Sequence, residues 1–331
     1  MSAQNIILYG LGNPIVDLIA HVALDDVKAL GAVPGSMNLV DGPRQTAVLE
    51  STNAYYRAPG GSCSNTVRAV AFLNRQTEKE GRILYTGCVG GDEDGRLFST
   101  LLERAGVEPI LATKSAHTGT SAILVSQDHE RTMFTNLGAS RELAYDDIDA
   151  EAVTSCGIFH TTGYMWDTEN QEAATMRAAR QCREAGGVVS FDVADPFVAD
   201  RYRDKLQRWI PGNVDLLFAN REELASLLER DDEPETLIRA AADLADTVAL
   251  KVGKDGCLVL NRGEVVTIPG VVVEPKDTTG AGDAFAGGFL FGLISGETPV
   301  ECGMIANRLA ASVVSVEACD YEAVEKLGFR L

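Results

Sequence analysis

Residues 277–283 read Asp277-Thr278-Thr279-Gly280-Ala281-Gly282-Asp283 and lead directly into the apolar run Ala284-Phe285-Ala286-Gly287-Gly288-Phe289. A loop of small residues that opens a helix is suited to anions. The first amides of a helix lack intrahelical acceptors and carry the positive end of its dipole. Glycines let an anion approach them closely. Asp283, in the first turn, would stand beside a bound phosphate, where a carboxylate can take the proton of an attacking hydroxyl. The alternative is a glycine-rich turn with Asp283 as a plain first-turn dipole partner. The whole seven-residue string before a Gly-Gly-Phe helix favours the chemical reading.

Two stretches nearer the N-terminus offer binding groups. Ala58-Pro59-Gly60-Gly61-Ser62-Cys63-Ser64-Asn65 reads as a Gly-Gly turn opening a helix near Ser62, with Asn65 one turn in. Gly60 and Gly61 would admit a ligand close to the backbone. Gly10-Leu11-Gly12-Asn13-Pro14-Ile15-Val16-Asp17 follows an apolar strand at 6–9. The two oxygens of the Asp17 carboxylate can accept from both hydroxyls of a vicinal diol. The competing reading is an aspartate that faces water. Asn220-Arg221-Glu222-Glu223 has the form of an N-cap with its capping-box glutamate. Lys251-Val252-Gly253-Lys254-Asp255-Gly256 reads as a strand ending in a glycine turn, on its own an ordinary hairpin.

These residues need a scaffold. After about residue 150, apolar strands are expected at 157–162, 187–192, 214–219 and 247–252. Helices alternate with them at 169–185 and from 221. Thr168 with Gln171 forms a capping box and Gly186 a stop. Strands this continuously apolar, separated by amphipathic helices, imply a parallel sheet covered on both faces. Two helices close the chain, one at about 281–295 before Gly296, the other from Pro299 with Thr298 and Glu301 as its capping box. Earlier segments at 14–22, 36–40, 107–112, 121–127 and 131–136 read as short strands, the last two joined by a hairpin at Asp128-His129-Glu130. The expectation is an α/β doubly wound, mostly parallel sheet with a small β-sheet lid formed by about 14–41 and 107–137. The acidic stretch 230–235 reads as a solvated loop.

Composition narrows the partners. The chain has 331 residues, with 48 acids against 29 bases and a formal charge of −19. Such a chain repels nucleic acid and anionic lipid at long range, so neither is an expected partner. An anionic substrate would need a local positive feature. The seven cysteines include no C-x-x-C pair, and with four histidines no zinc site is suggested. Scattered thiols fit a reducing, cytoplasmic setting. The opening MSAQNIILYG lacks a basic n-region, so no signal peptide is expected, and no apolar run reaches a membrane span.

The string 277–283 resembles the C-terminal signature of the ribokinase, or PfkB, family of carbohydrate and nucleoside kinases, and other motifs of that family follow in order over nearly the whole chain. The resemblance implies a ribokinase-like fold and transfer of the ATP γ-phosphate to a small-molecule hydroxyl. It implies Asp283 as base and the Gly280, Ala281 and Gly282 loop as the anion hole. Gly60, Gly61 and Asn65 match residues that hold the sugar. The G-N-P-x-x-D pattern is similar to the adenosine-kinase branch, which implies ribose binding by Asp17 beside Asn13, a ribonucleoside acceptor phosphorylated at its 5′-hydroxyl, and a place in purine salvage. Met133, Thr135 and Leu137 match the lid segment that covers the base and alternate onto one strand face. Met37 and Met165 stand where that branch often has glutamine and an aromatic residue.

On the nucleotide side, Asn220 and Glu223 match an N-x-x-E motif that organises Mg2+ and phosphate, with Glu223 acting on the metal through water. Gly253 and Gly256 match a nucleotide loop, Thr279 lies in the signature, and Asn307 matches a position near adenine. Lys251 departs from the small hydroxyl residue expected at its position. A monovalent cation such as K+, and a monomer or homodimer, are compatible with the family. The same-family alternative is a sugar kinase for ribose, fructose or a keto acid. A nicotinamide oxidoreductase reading of Gly10-Leu11-Gly12 fails because Ile15 replaces the last glycine and Pro14 removes an amide. A catalytically dead binding protein is disfavoured by the intact Asp283 loop. P-loop, H-E-x-x-H and G-x-S-x-G motifs are absent.

Overall fold

Near-continuous apolar strands need cover on both faces, and the order of elements supplies it. The structure, a computed structural model, describes residues 5–52, 54–127 and 130–331. The first half runs β1 (Ile6–Leu11), β2 (Ile15–His21), α1 (Leu24–Ala29), β3 (Met37–Leu39), α2 (Gly42–Glu50), β4 (Tyr56–Gly60), α3 (Ser62–Gln76), β5 (Arg82–Gly90), α4 (Glu93–Ala105), β6 (Glu108–Lys114), β7 (Gly119–Val125) and β8 (Arg131–Asn136). The second half runs α5 (Ala150–Ser155), β9 (Cys156–Thr162), α6 (Glu169–Glu184), β10 (Val188–Asp192), α7 (Pro196–Trp209), β11 (Leu216–Asn220), α8 (Arg221–Leu228), α9 (Pro234–Ala240), β12 (Thr247–Lys251), β13 (Gly256–Asn261), β14 (Glu264–Pro269), α10 (Ala281–Ile294), α11 (Pro299–Val313) and α12 (Tyr321–Lys326).

The large sheet has the order β14-β13-β12-β11-β10-β9-β1-β5-β6. It is parallel from β12 to β6, and β13 and β14 are antiparallel additions at one edge. One face packs Trp166, Phe191 and Trp209 with α5 to α9. The other packs Phe72, Phe218 and Phe289 with α3, α4, α10, α11 and α12. This is the doubly wound arrangement expected. The caps fall where the sequence places them: Thr168 accepts from the Gln171 amide, and Thr298 and Glu301 form a reciprocal box. The acidic loop ends at Glu233, because Pro234 at the first helical position opens α9. All seven cysteines are buried and unpaired. Among the described residues, no helix is long and apolar enough to cross a membrane.

The small sheet has the order β3-β8-β7-β2-β4. Its outer face is covered by Val27 of α1 and Val48 of α2, packed on Ala20, Leu124 and Phe134. β7 and β8 pair antiparallel from Val125–Arg131 onward; the connecting residues Asp128 and His129 lie outside the described set. One expectation needs correction. The strand at 107–112 forms as β6, but it pairs in parallel with β5 as the edge of the large sheet, so the second lid segment begins at Gly119. Conversely β4, not expected as a strand, joins the lid antiparallel to β2.

Candidate active site

Three polar residues end three neighbouring strands. Asp192 closes β10, Asn220 closes β11 and Lys251 closes β12. Ligands bind at the carboxyl ends of the strands in open α/β sheets. A cleft of about 1260 Å³ lies there, between the large sheet and the lid. Single small-molecule sites run to roughly 300–1,000 Å³, so this cleft has room for two ligands side by side.

At its centre is Asp283, in the first turn of α10. Ser62 Oγ donates to its Oδ1 (2.6 Å) and Asn65 Nδ2 to its Oδ2 (2.8 Å). Arg68 Nη1 donates to Asn65 Oδ1 (3.0 Å), which fixes the amide so that its nitrogen faces Asp283. Burial pushes the Asp283 carboxyl up to about 6, while the Ser62 and Asn65 hydrogen bonds and Lys251 hold it down. Gly280 caps α10 at φ 71°, and a β-carbon there would stand 2.6 Å from Cys319 Sγ. Asp277 holds this loop: it accepts from the Thr279 and Ala318 amides and pairs with Arg131 of β8. The Ala281 amide is already directed at the Thr278 carbonyl (3.2 Å).

The lid supplies the other wall. Asp17 lies on β2 opposite Ala58 of β4 and Ser121 of β7. A β-carbon on Gly60 would fall 2.3 Å from Asp17 Oδ1, so the carboxylate is tucked against the bare backbone of Gly60. Burial pushes Asp17 up to about 7, with Arg131 and Arg68 pulling it down. Met37, Met133, Thr135 and Leu137 line the same wall, as do Ile15 and Ile123. The opposite side carries Tyr164 and the half-exposed Phe197 at the start of α7.

The cleft wall at the end of β11 is held by capping bonds. Asn220 Oδ1 accepts from the Glu223 amide (2.8 Å), and Glu223 accepts from the Asn220 amide and side chain (both 2.7 Å). Burial pushes Glu223 up to about 7, against the pull of Lys251. Lys251 Nζ bonds both oxygens of Asp192 (3.0 and 2.9 Å) and lies 4.0 Å from Glu223. Burial alone would lower the Lys251 ammonium, but Asp192 and Glu223 outweigh it and hold it above its usual range.

Of the residues singled out in the sequence, the cleft brings together Asn13, Asp17, Gly61, Asn65 and the lid trio on one side. Asn220, Glu223, Gly253, Gly256, Thr279 and Asn307 line the other, with 280–283 between them. Gly60 does not line the cleft; it makes room for Asp17. Met165 is fully buried in the core and contributes no cleft wall, because the 3₁₀ turn at Gly163–Trp166 points Tyr164 there instead. Asn307 is buried and donates to the Ile268 and Pro269 carbonyls, which rules out a helix-surface role. Asn13 accepts from Gln171 (2.8 Å) and donates to the Tyr164 carbonyl (3.3 Å). Gly10 and Gly12 serve packing: β-carbons there would lie 2.5 Å from Val67 and 2.6 Å from Cys63 of α3. Sequence reasoning missed Ser62, Arg131 and Asp192. For Asp192 the available signal was a charged residue closing an apolar parallel strand.

A pH effect follows. A carboxyl whose folded value is raised binds more protons in the folded state, so its contribution is full below about pH 4 and is lost as pH rises to about 7. The Asp17 contribution to the stability of the ligand-free protein is therefore larger at pH 5 than at pH 8. Asp17→Asn should raise stability at pH 8 by about 1–2 kcal/mol, after discounting for cleft solvent, with little change at pH 4. Urea melts of both proteins at the two pH values check it.

Comparison with known proteins agrees with this geometry. The pattern of the pfkB family of carbohydrate kinases matches residues 35–326. The crystal structure of adenosine kinase from Sinorhizobium meliloti superposes with a TM-score of 0.89 at 30% identity, covering 98% of this chain and 100% of that one. An ATP-dependent ribose-1-phosphate kinase of Halopiger xanaduensis is 35% identical over 72% of this chain and 75% of its own. The adenosine kinase of Dictyostelium discoideum is 29% identical over 90% of this chain and 92% of its own. A glycine loop opening a helix beside a buried carboxylate fits what the relatives show: the chain is a phosphotransferase that belongs to the pfkB family of carbohydrate kinases, on its adenosine-kinase-like branch.

Proposed function

We propose that the protein transfers the γ-phosphoryl group of ATP to the 5′-hydroxyl of a purine ribonucleoside, adenosine first among them. One observation carries the reading: Asp17 stands beside Ile15, Ile123, Met133 and Leu137 on the lid wall and faces the same cleft as Asp283. A ribose gripped by Asp17 through its 2′- and 3′-hydroxyls leaves the 5′-hydroxyl to reach Asp283. Met133, Leu137 and Met37 then cover a flat base, with Tyr164 and Phe197 across from them. Asp283 takes the hydroxyl proton, and the Gly280 and Gly282 amides hold the transferring phosphoryl group.

Magnesium would arrive with ATP. Among the described residues no group of three His, Cys, Asp or Glu could hold an ion alone. The ion would be bound chiefly by phosphate oxygens and waters, with Glu223 reaching it through water. When bound, it neutralises charge on the phosphates.

A second reading has its own observation. Arg131 lines the acceptor side, and its buried Nη1 has no hydrogen-bond partner, which favours an acceptor that carries an anion, such as a pentose phosphate. The test is kcat/KM for adenosine, inosine, 2′-deoxyadenosine, ribose, fructose and ribose 1-phosphate. Adenosine is expected to lead. The deoxy analogue should lose about 1–3 kcal/mol because it strands one Asp17 oxygen, and Asp17→Ala should erase that preference. A lead by ribose 1-phosphate or a free sugar would overturn the nucleoside reading.

A further inference from the structure

The phosphoryl end of the cleft gathers three carboxylates, those of Asp283, Asp192 and Glu223, in a chain whose formal charge is −19. A polyphosphate cannot be drawn there without a cation. Arg131 lies on the lid side, paired with Asp277, and Lys254 is exposed on the turn at 253–255. Lys251 is the cleft cation held against the 280–283 loop. Its ammonium has three donors, and among the described residues its hydrogen bonds go to Asp192 alone. A β-carbon on Gly282 would stand 3.3 Å from Nζ, so the ammonium borders the anion loop on the side that a side chain would otherwise fill. The loop is thus walled by a helix start on one side and a fixed positive charge on the other.

We propose that Lys251 is a further catalytic residue, donating a hydrogen bond from Nζ to a non-bridging oxygen of the γ-phosphoryl group during transfer. In that step the acceptor oxygen bonds to the γ-phosphorus and its proton passes to Asp283. The bond from the γ-phosphorus to the β–γ bridging oxygen breaks, and its electron pair leaves with ADP. Lys251 keeps its protons throughout, while Asp192 holds the ammonium in place and Glu223 sets its far side. A charge fixed by a buried partner needs no reorganisation as the phosphoryl charge develops. The inference rests on the anion-loop reading above but not on the identity of the acceptor.

The rival explanation is that Lys251 only neutralises buried Asp192. Removing one member of a buried pair strands the other, whereas removing both leaves no uncompensated charge. The experiment therefore uses Lys251→Thr, which installs a short hydroxyl, Lys251→Arg, and the neutral double variant Lys251→Met/Asp192→Asn. Calorimetry gives Kd for adenylyl imidodiphosphate and for ADP without any acceptor, and kcat is read with whichever acceptor the enzyme turns over. Lys251→Thr and the double variant should each lose about 10²-fold in kcat. Each should weaken adenylyl imidodiphosphate about tenfold while ADP and acceptor affinities stay within about threefold. Lys251→Arg should recover part of the rate. Near wild-type kcat in the double variant, or equal losses for adenylyl imidodiphosphate and ADP, would overturn the proposal. If Lys251→Thr does not fold, the double variant alone decides. Failure of every nucleoside as acceptor would refute the acceptor assignment and leave the binding comparison intact.

Discussion

Asp283→Asn should lower kcat by on the order of 10²–10⁴ while acceptor binding stays nearly unchanged. The substitution keeps the size of the side chain and leaves it within reach of Ser62 and Asn65, whose hydrogen bonds set its geometry. What it removes is the proton acceptor. The wild-type rate should rise with pH through a value near 6, because burial raises this carboxyl to about 6 and only its ionised form can take a proton. Above that value the rate should level off, and the rising limb should vanish in Asp283→Asn. Steady-state rates from pH 5 to 8, with acceptor affinity measured by calorimetry, check both parts. A variant that turns over at near wild-type rate would remove Asp283 from the chemistry.

Gly287→Val should cost about 3 kcal/mol or more of stability and carry much of the activity with it. In an ordinary helix interior, replacing glycine with alanine gains roughly 0.5–1 kcal/mol. Here contact reverses the sign. A β-carbon on Gly287 would lie 2.3 Å from Ala69 Cβ and 2.8 Å from the Thr66 carbonyl oxygen, and neither is the end of a flexible side chain. α3 and α10 would have to separate. Those two helices bring Ser62 and Asn65 to Asp283, so the shift should also loosen the base. Denaturant melts and kcat for Gly287→Ala and Gly287→Val should fall in that order, and equal stability of all three proteins would contradict the packing account.

The glycine loop at 277–283 and the helix start after it were legible because their signals are local. Small residues, a helix start and a first-turn aspartate adjoin in the chain, and Asp283 needs only one turn of α10 to be placed. The parallel strands after residue 150 were legible for the same reason: apolar runs bounded by caps and stops report burial on both faces. Sheet membership was harder. β6 has mostly half-buried residues, as a lid strand would, and its place beside β5 depends on a pairing that no local pattern encodes. β4 contains Pro59 and Gly60, residues that argue against a strand anywhere but an edge; an edge is where it lies. Asp192 and Lys251 meet only because β10 and β12 flank β11, so their ion pair is a product of topology. Met165 shows the limit of positional matching, since a single 3₁₀ turn swaps which side chain reaches the cleft.

The most direct test of the account is the product itself. The protein is incubated with ATP, magnesium and adenosine, and the phosphorylated product is read by phosphorus NMR with proton coupling. The account predicts a monoester coupled to the two 5′-methylene protons, formed one for one with ADP by the wild-type protein and nearly absent with Asp283→Asn. A monoester on the 2′- or 3′-hydroxyl, or transfer to ribose 1-phosphate or a free sugar with none to adenosine, would contradict it.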